Sequence, residues 1–356
     1  MLKSHSTVLD NAHLENQTLT QADTHLPLND SLSITQQKYL SAEANQWLKQ
    51  GVAQHRQGNV TAALASFQQA LQAFRTLEQR PSEAKVLMAV AHLHYNLADY
   101  LWAVDYARQG LAIARSIENK SLMNQALSCL GNSYRHLGDL DKAEICMTQS
   151  LSLAEETTDL EAEVRALSNL ALIYRVQKNS AKAVCLYERS LLLAEAQNDV
   201  GAIEQLLRNL GNAYHALGNP QKTIEYYDRL LHLCRDRMEL TVVSKILRNL
   251  NSACYALGDY TRAVVYLQER LRLVRQLRDL QGEAQTLESL AITYKTLGDN
   301  SKALQACEEH FKATLVLEDA QLQRRALSTL KTACLAEGDF ARFQRYLDYL
   351  TESMEL

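Results

Sequence analysis

The residues best equipped for chemistry are two arginine-asparagine pairs, Arg208-Asn209 and Arg248-Asn249, set forty residues apart. An arginine presents a planar fork of donors that fits a carboxylate, and an asparagine amide both donates and accepts, as a peptide backbone requires. The chemistry is therefore recognition rather than bond breaking, and its natural object is an extended acidic peptide or a chain terminus. Residues of the same types recur in step with these pairs. Counted from a leucine that returns at 87, 127, 167, 207, 247, 287 and 327, the position two before holds Lys85, Arg165, Lys245 and Arg325. The position eight after holds Arg135, Arg175 and Lys295, with His215 and Tyr255 at the same place. Asn132, Asn169 and Asn212 occupy neighbouring positions, and Glu288 is the single acid among them. Nine basic residues thus stand against one acid in a chain of net charge −4. The competing reading is that these groups only keep a groove hydrated and pair with acids on adjacent helices.

Other chemistries find less support. Nothing resembles a phosphate loop, a nucleophile elbow or a pair of catalytic carboxylates, which argues against an enzyme. His92, His94, His136 and His215 do not pair four apart on one helix face, so neither a metal nor any other cofactor is expected. Seven cysteines, an odd number, lie singly in helical patterns and suit reduced thiols in the cytoplasm. Tyr226, Tyr227, Tyr255, Tyr260, Tyr266 and Tyr294 read mostly as core. A basic groove with tyrosines suits single-stranded RNA, but the net negative charge weighs against nucleic acid. No apolar run approaches the roughly 20 residues that span a bilayer, and the first residues lack the apolar stretch of an export signal, so no membrane insertion is expected.

The elements that must position these residues are helix pairs. From Leu207 to Leu231 the chain reads as a helix, a stop and a second helix: Leu207, Leu210, Tyr214 and Leu217 form an apolar stripe, Gly218 ends it, and Asn219-Pro220 caps and starts the next. The pattern returns every forty residues. Gly58, Gly138, Gly218, Gly258, Gly298 and Gly338 hold the turn, and Asn59, Asp99, Asp139, Asn179, Asn219, Asp259, Asp299 and Asp339 hold the cap. Ala63, Ala103, Ala143, Ala183, Ala263 and Ala303 supply a small residue in the second helix, where close helix approach needs one. Strand-type alternation is absent, so the class is all-α.

A period of this length built from helix pairs is the mark of a solenoid. Leu130-Gly131-Asn132 and Leu210-Gly211-Asn212, with Tyr134, Gly138-Asp139 and Ala143, resemble the tetratricopeptide repeat in its forty-residue form. That resemblance implies a right-handed superhelix of about eight helix-turn-helix units whose first helices line a concave face, which would gather the arginines, lysines and asparagines above. The units are expected at about 41–80, 81–120, 121–160, 161–200, 201–240, 241–280, 281–320 and 321–356, within an array over 37–356 that follows a disordered tail over 1–36. The last helix, with Phe340, Phe343, Tyr346, Leu347, Tyr349 and Leu350, is apolar enough for self-association. The family makes a protein-binding adaptor or assembly factor the first expectation. A peptide-sensing regulator of a separate partner is the second, since the residues before the array are too few to hold an output domain.

Overall fold

The computed structural model describes residues 33–346 apart from Met238, Glu318 and Phe340. The expected tail therefore lies outside the described residues except at its end, where Ser33 caps a helix that already begins at Ile34. The C-terminal residues 347–356 lie outside them as well.

Helices alternate with tight turns throughout: α1 (Ile34–Arg56), α2 (Val60–Thr76), α3 (Arg80–Asn96), α4 (Tyr100–Ser116), α5 (Lys120–Leu137), α6 (Leu140–Glu156), α7 (Leu160–Val176) and α8 (Ser180–Ala196). They continue as α9 (Val200–Ala216), α10 (Pro220–Asp236), α11 (Leu240–Leu257), α12 (Tyr260–Gln276), α13 (Leu280–Thr296), α14 (Asn300–Val316) and α15 (Ala320–Glu337), with residues 341–346 helical after it. Odd-numbered helices are the first of each unit and even-numbered helices the second. Among the described residues there is no strand, and the fold is an all-α solenoid.

Capping explains why each helix starts where it does. Asn59, Asp139, Asn179, Asn219, Asp259 and Asp299 each accept the N–H three residues on, satisfying a donor that the helix itself leaves unpaired. Asp99 is the departure: it makes no cap bond and faces His94 Nδ1 at 3.6 Å instead. Asn119, Asp159, Asp199, Asp279 and Asp319 cap first helices in the same way, whereas Glu239 makes no side-chain cap bond to α11. At the turns the six repeat glycines have φ between 68° and 82°, and Ala98 and Lys178 are held at φ 62° in the same place. The turns between units put Glu78, Glu118, Thr158, Asn198 and Arg278 in that left-handed region too.

The chain forms two compact units that meet in sequence after Glu83. In the first part Gly51 lies so close to Phe67 that an added Cβ would stand 2.7 Å from the ring, and Arg75 pairs with Glu83 at 2.9 Å. In the second part the recurrent leucines at 87, 127, 167, 207, 247 and 287 and their partners three residues on are all buried. Leu217, expected in the same stripe, is 44% exposed because it sits past the helix end as its C-cap. Ion pairs at a separation of 34 residues tie successive second helices together: Arg189 to Glu155 at 2.7 Å, Arg235 to Glu269 at 2.7 Å and Arg275 to Glu309 at 2.6 Å. First helices meet each other directly, α5 against α7 and α7 against α9.

Candidate binding cleft between first helices

The Leu-Gly-Asn motif of α9 builds a hydrogen-bonded polar site, and a second-helix tyrosine completes it. Gly211 leaves room for the Tyr227 ring, which a Cβ at that position would meet at 2.8 Å. With the ring seated there, the Tyr227 hydroxyl donates to Asn212 Oδ1 at 2.7 Å and accepts from Asn249 Nδ2 at 2.9 Å. One buried phenol therefore fixes two amides on neighbouring first helices. These bonds leave the N–H donors of Asn212 and the carbonyl of Asn249 for other partners, one for each kind of peptide backbone group. In α5 the same motif gives a different outcome, because Gly131 admits Met147, which has no hydroxyl to hold Asn132.

These side chains line a cleft of about 370 Å³ between α9 and α11, together with Arg208, Lys245, Arg248, Val242 and Ile246. Five of the expected binding residues, Arg208, Asn212, Lys245, Arg248 and Asn249, thus converge on one place. Burial raises the Tyr227 phenol above its usual range, while the bond from Asn249 and the nearby charges of Arg208 and Arg248 pull it back. Three others, Asn132, Arg165 and Asn169, share a second cleft of about 500 Å³ between α5 and α7, where His92, Tyr95, Asp159 and Glu161 also face inward.

The remaining expected residues are placed elsewhere. Asn209 is buried, with 7% of its surface exposed, and lines neither cleft. Arg135 and Arg175 lie in the last turns of α5 and α7, where a positive charge complements the carbonyl end of the helix; Arg135 donates to His136 Nε2 at 2.8 Å. Tyr255 is 38% exposed, against the core role expected of it, and packs edge-on against Tyr260.

The charge count also changes. Residues four apart on a helix share a face, and this brings Glu161 against Arg165 and Glu204 against Arg208, the latter at 2.7 Å. Arg325 pairs with Glu288 at 3.3 Å. The face is therefore less uniformly positive than the leucine-based positions imply. Lys245 and Arg248 are exposed and make no ion pair among the described residues: Thr241 and Ser244, four residues before them, stand where α7 carries Glu161 and α9 carries Glu204.

Tyr227, which the sequence places only in the core, is the residue that joins the amides of this cleft. The signal that points to it is Gly211: a glycine inside a helix at a unit's packing face marks the place where a large second-helix side chain enters.

Among the described residues, no group of three or more His, Cys, Asp or Glu is placed to hold a metal ion. The seven cysteines are unpaired, and burial pushes the Cys129, Cys254 and Cys307 thiols up to about 11, away from thiolate chemistry. No described helix is long and apolar enough to cross a membrane.

Family models described as tetratricopeptide repeat match residues 37–78, 122–196 and 206–239. No curated protein matches the chain. Among solved structures, a signal transduction ATPase with a tetratricopeptide repeat sensor from Pyrococcus horikoshii superposes with a TM-score of 0.61 at 15% identity, over 87% of this chain and 47% of that one. Aspartyl phosphate phosphatase F from Bacillus subtilis gives 0.56 at 17% identity, over 88% of this chain and 76% of the other. A Rap protein complexed with competence and sporulation factor gives 0.51 at 18% identity, over 72% and 76%. At these identities the likeness is one of fold.

Proposed function

We propose that this chain, which belongs to the tetratricopeptide repeat family, is a non-enzymatic adaptor that holds an extended acidic segment of a partner protein across its first helices, centred on the cleft between α9 and α11. The observation that carries the reading is the coincidence of unpaired positive charge at Lys245 and Arg248 with two amides oriented by the Tyr227 hydroxyl. Amides that keep a donor side on Asn212 and an acceptor side on Asn249 can grip a peptide backbone whatever its side chains. Lys245 and Arg248 then select for acid. Seven unpaired thiols fit work in the reducing cytoplasm, and an assembly factor is one form such an adaptor takes.

A second reading, a peptide-sensing regulator, draws on the fold shared with a Rap protein whose structure holds competence and sporulation factor and with an ATPase carrying a repeat sensor. The two differ in what the cleft retains. Affinity capture from the native cells, with wild type beside Lys245→Glu/Arg248→Glu, separates them: a protein partner lost only with the double reversal supports the adaptor, and a short peptide lost in the same way supports the sensor. Capture that survives the reversal unchanged sinks both.

A further inference from the structure

Arg270, on the second helix α12, is the least expected residue in this region. Only 5% of its surface is exposed, its Nε is shut from solvent with no partner, and its guanidinium makes no hydrogen bond or ion pair among the described residues. Burying an arginine without an acid is costly, since its charge cannot be shed as a lysine's can. The equivalent positions in earlier units carry no charge: Ala70, Gly110, Ser150, Ser190 and Leu230. Ser150 donates to Asn124 Oδ1 at 2.9 Å and Ser190 to the Val164 carbonyl at 3.0 Å, each reaching the first helix of its own unit. Arg270 is too long for that contact and instead lines a third cleft of about 400 Å³ beside α11 and α13, with Lys245, Arg248, Ser244 and Thr241. Asp279 is the one acid in the lining, and its Oδ1 is engaged by the Gly282 N–H at 2.9 Å as the cap of α13. Three cations therefore face one acid, which has one oxygen engaged as the cap of α13. Burial lowers the Arg270 pKa, Arg248 lowers it further and Asp279 opposes both; three cations against one carboxylate leave the lining with two positive charges in excess.

We propose that Arg270, Arg248 and Lys245 form a binding subsite for a small oxyanion, with Arg270 as its buried floor. The occupant is a carboxylate carried on an acidic peptide or a free phosphate. The first source rests on the adaptor reading given above and the second does not. Either ion supplies negative charge and accepts from the guanidinium fork, and the hydroxyls of Ser244 and Thr241 stand beside it as further donors.

The test measures binding to the full chain of inorganic phosphate and of hexaglutamate blocked at both ends, by calorimetry and thermal shift at constant ionic strength. Wild type is compared with Arg270→Met and Arg248→Gln. Wild type should bind at least one probe, and loss of a charge-assisted contact should weaken that binding roughly tenfold or more in each variant. Arg270→Met without ligand should melt no lower than wild type, because it removes a desolvated charge that has no protein partner; a structural arginine would give the reverse. Equal binding by wild type and Arg270→Met, or no binding of either probe, overturns the subsite. If Arg270→Met fails to fold, the proposal is overturned by unchanged binding in Arg248→Gln. Hexaglutamate that binds regardless of Arg270 refutes the subsite and leaves the adaptor reading standing. Phosphate that depends on Arg270 while hexaglutamate does not bind at all leaves the subsite standing and removes the adaptor reading.

Discussion

Removing one oxygen from each of two equivalent tyrosines should shift stability in opposite directions. Tyr187 and Tyr227 sit forty residues apart in α8 and α10, and both side chains are buried. The Tyr227 hydroxyl joins Asn212 and Asn249 at 2.7 and 2.9 Å, whereas the Tyr187 hydroxyl has no partner and its phenol is pushed up to about 12 by burial. Tyr227→Phe forfeits two neutral hydrogen bonds at about 0.5–1.5 kcal/mol each, and Asn212, being exposed, recovers part of its share from water; a net loss of about 1–2 kcal/mol follows. Tyr187→Phe instead removes a buried hydroxyl whose desolvation goes uncompensated, so it should be neutral or stabilise by about 1 kcal/mol. Repeat arrays do not melt strictly as one unit. The assay is therefore native-state hydrogen exchange of the amides in α7 to α11, with urea denaturation beside it. Destabilisation of similar size by both substitutions would refute the hydroxyl network as the feature that separates these sites.

Three further predictions concern the scaffold. Ala98→Gly and Lys178→Gly, at φ 62°, should each stabilise by about 1 kcal/mol in urea denaturation, since a left-handed conformation costs a residue with a Cβ roughly that much; destabilisation at either position would show that its side chain contributes something else. Leu207→Ala should cost about 2–5 kcal/mol as a buried truncation, while Leu217→Ala, at the exposed end of the same helix, should cost well under half as much. Burial lowers the pKa of His310 below its ordinary 6.5, against Glu288, which raises it, and with Arg325, which lowers it further. The unfolded chain then takes up a proton that the folded chain refuses, so the contribution is full above about pH 6.5 and declines as pH falls toward the depressed value. His310→Leu should flatten the melting temperature between about pH 7 and pH 5.5, and an unaltered slope would exclude His310 as its source.

The fold was readable because each unit repeats the same local instructions. A leucine stripe, a turn residue and an Asn or Asp cap agree with one another in nearly every copy, so single departures such as Ala98 and Lys178 leave the geometry unchanged. The cleft was only partly readable. Lys245, Arg248, Asn212 and Asn249 come together because the period places them on adjacent first helices. The burial of Asn209 was not legible, although it occupies the same repeat position as half-buried Asn249. The pairing of Arg165 with Glu161 and of Arg208 with Glu204 followed from spacing four apart, but the positions surveyed skipped those acids. Arg270 lies on a second helix, outside the positions from which a binding face was inferred.

The central claim is that acid is held at Lys245 and Arg248, and the most direct measurement is calorimetric titration of hexaglutamate, blocked at both ends, into wild type and Lys245→Glu/Arg248→Glu. The control is Arg272→Glu/Lys312→Glu on the second helices, both exposed and free of ion pairs among the described residues; Lys222 and Arg262 are unsuitable because they pair with Glu225 and Asp228. Wild type should bind, with affinity falling as salt rises from about 0.05 M to about 0.5 M. The first-helix reversal should weaken binding by about 3 kcal/mol or more at unchanged helix content, given that a hydrogen bond to a charged group contributes about 1.5–3 kcal/mol. The control pair should bind as wild type does. Full binding by Lys245→Glu/Arg248→Glu, or loss confined to Arg272→Glu/Lys312→Glu, would contradict the account.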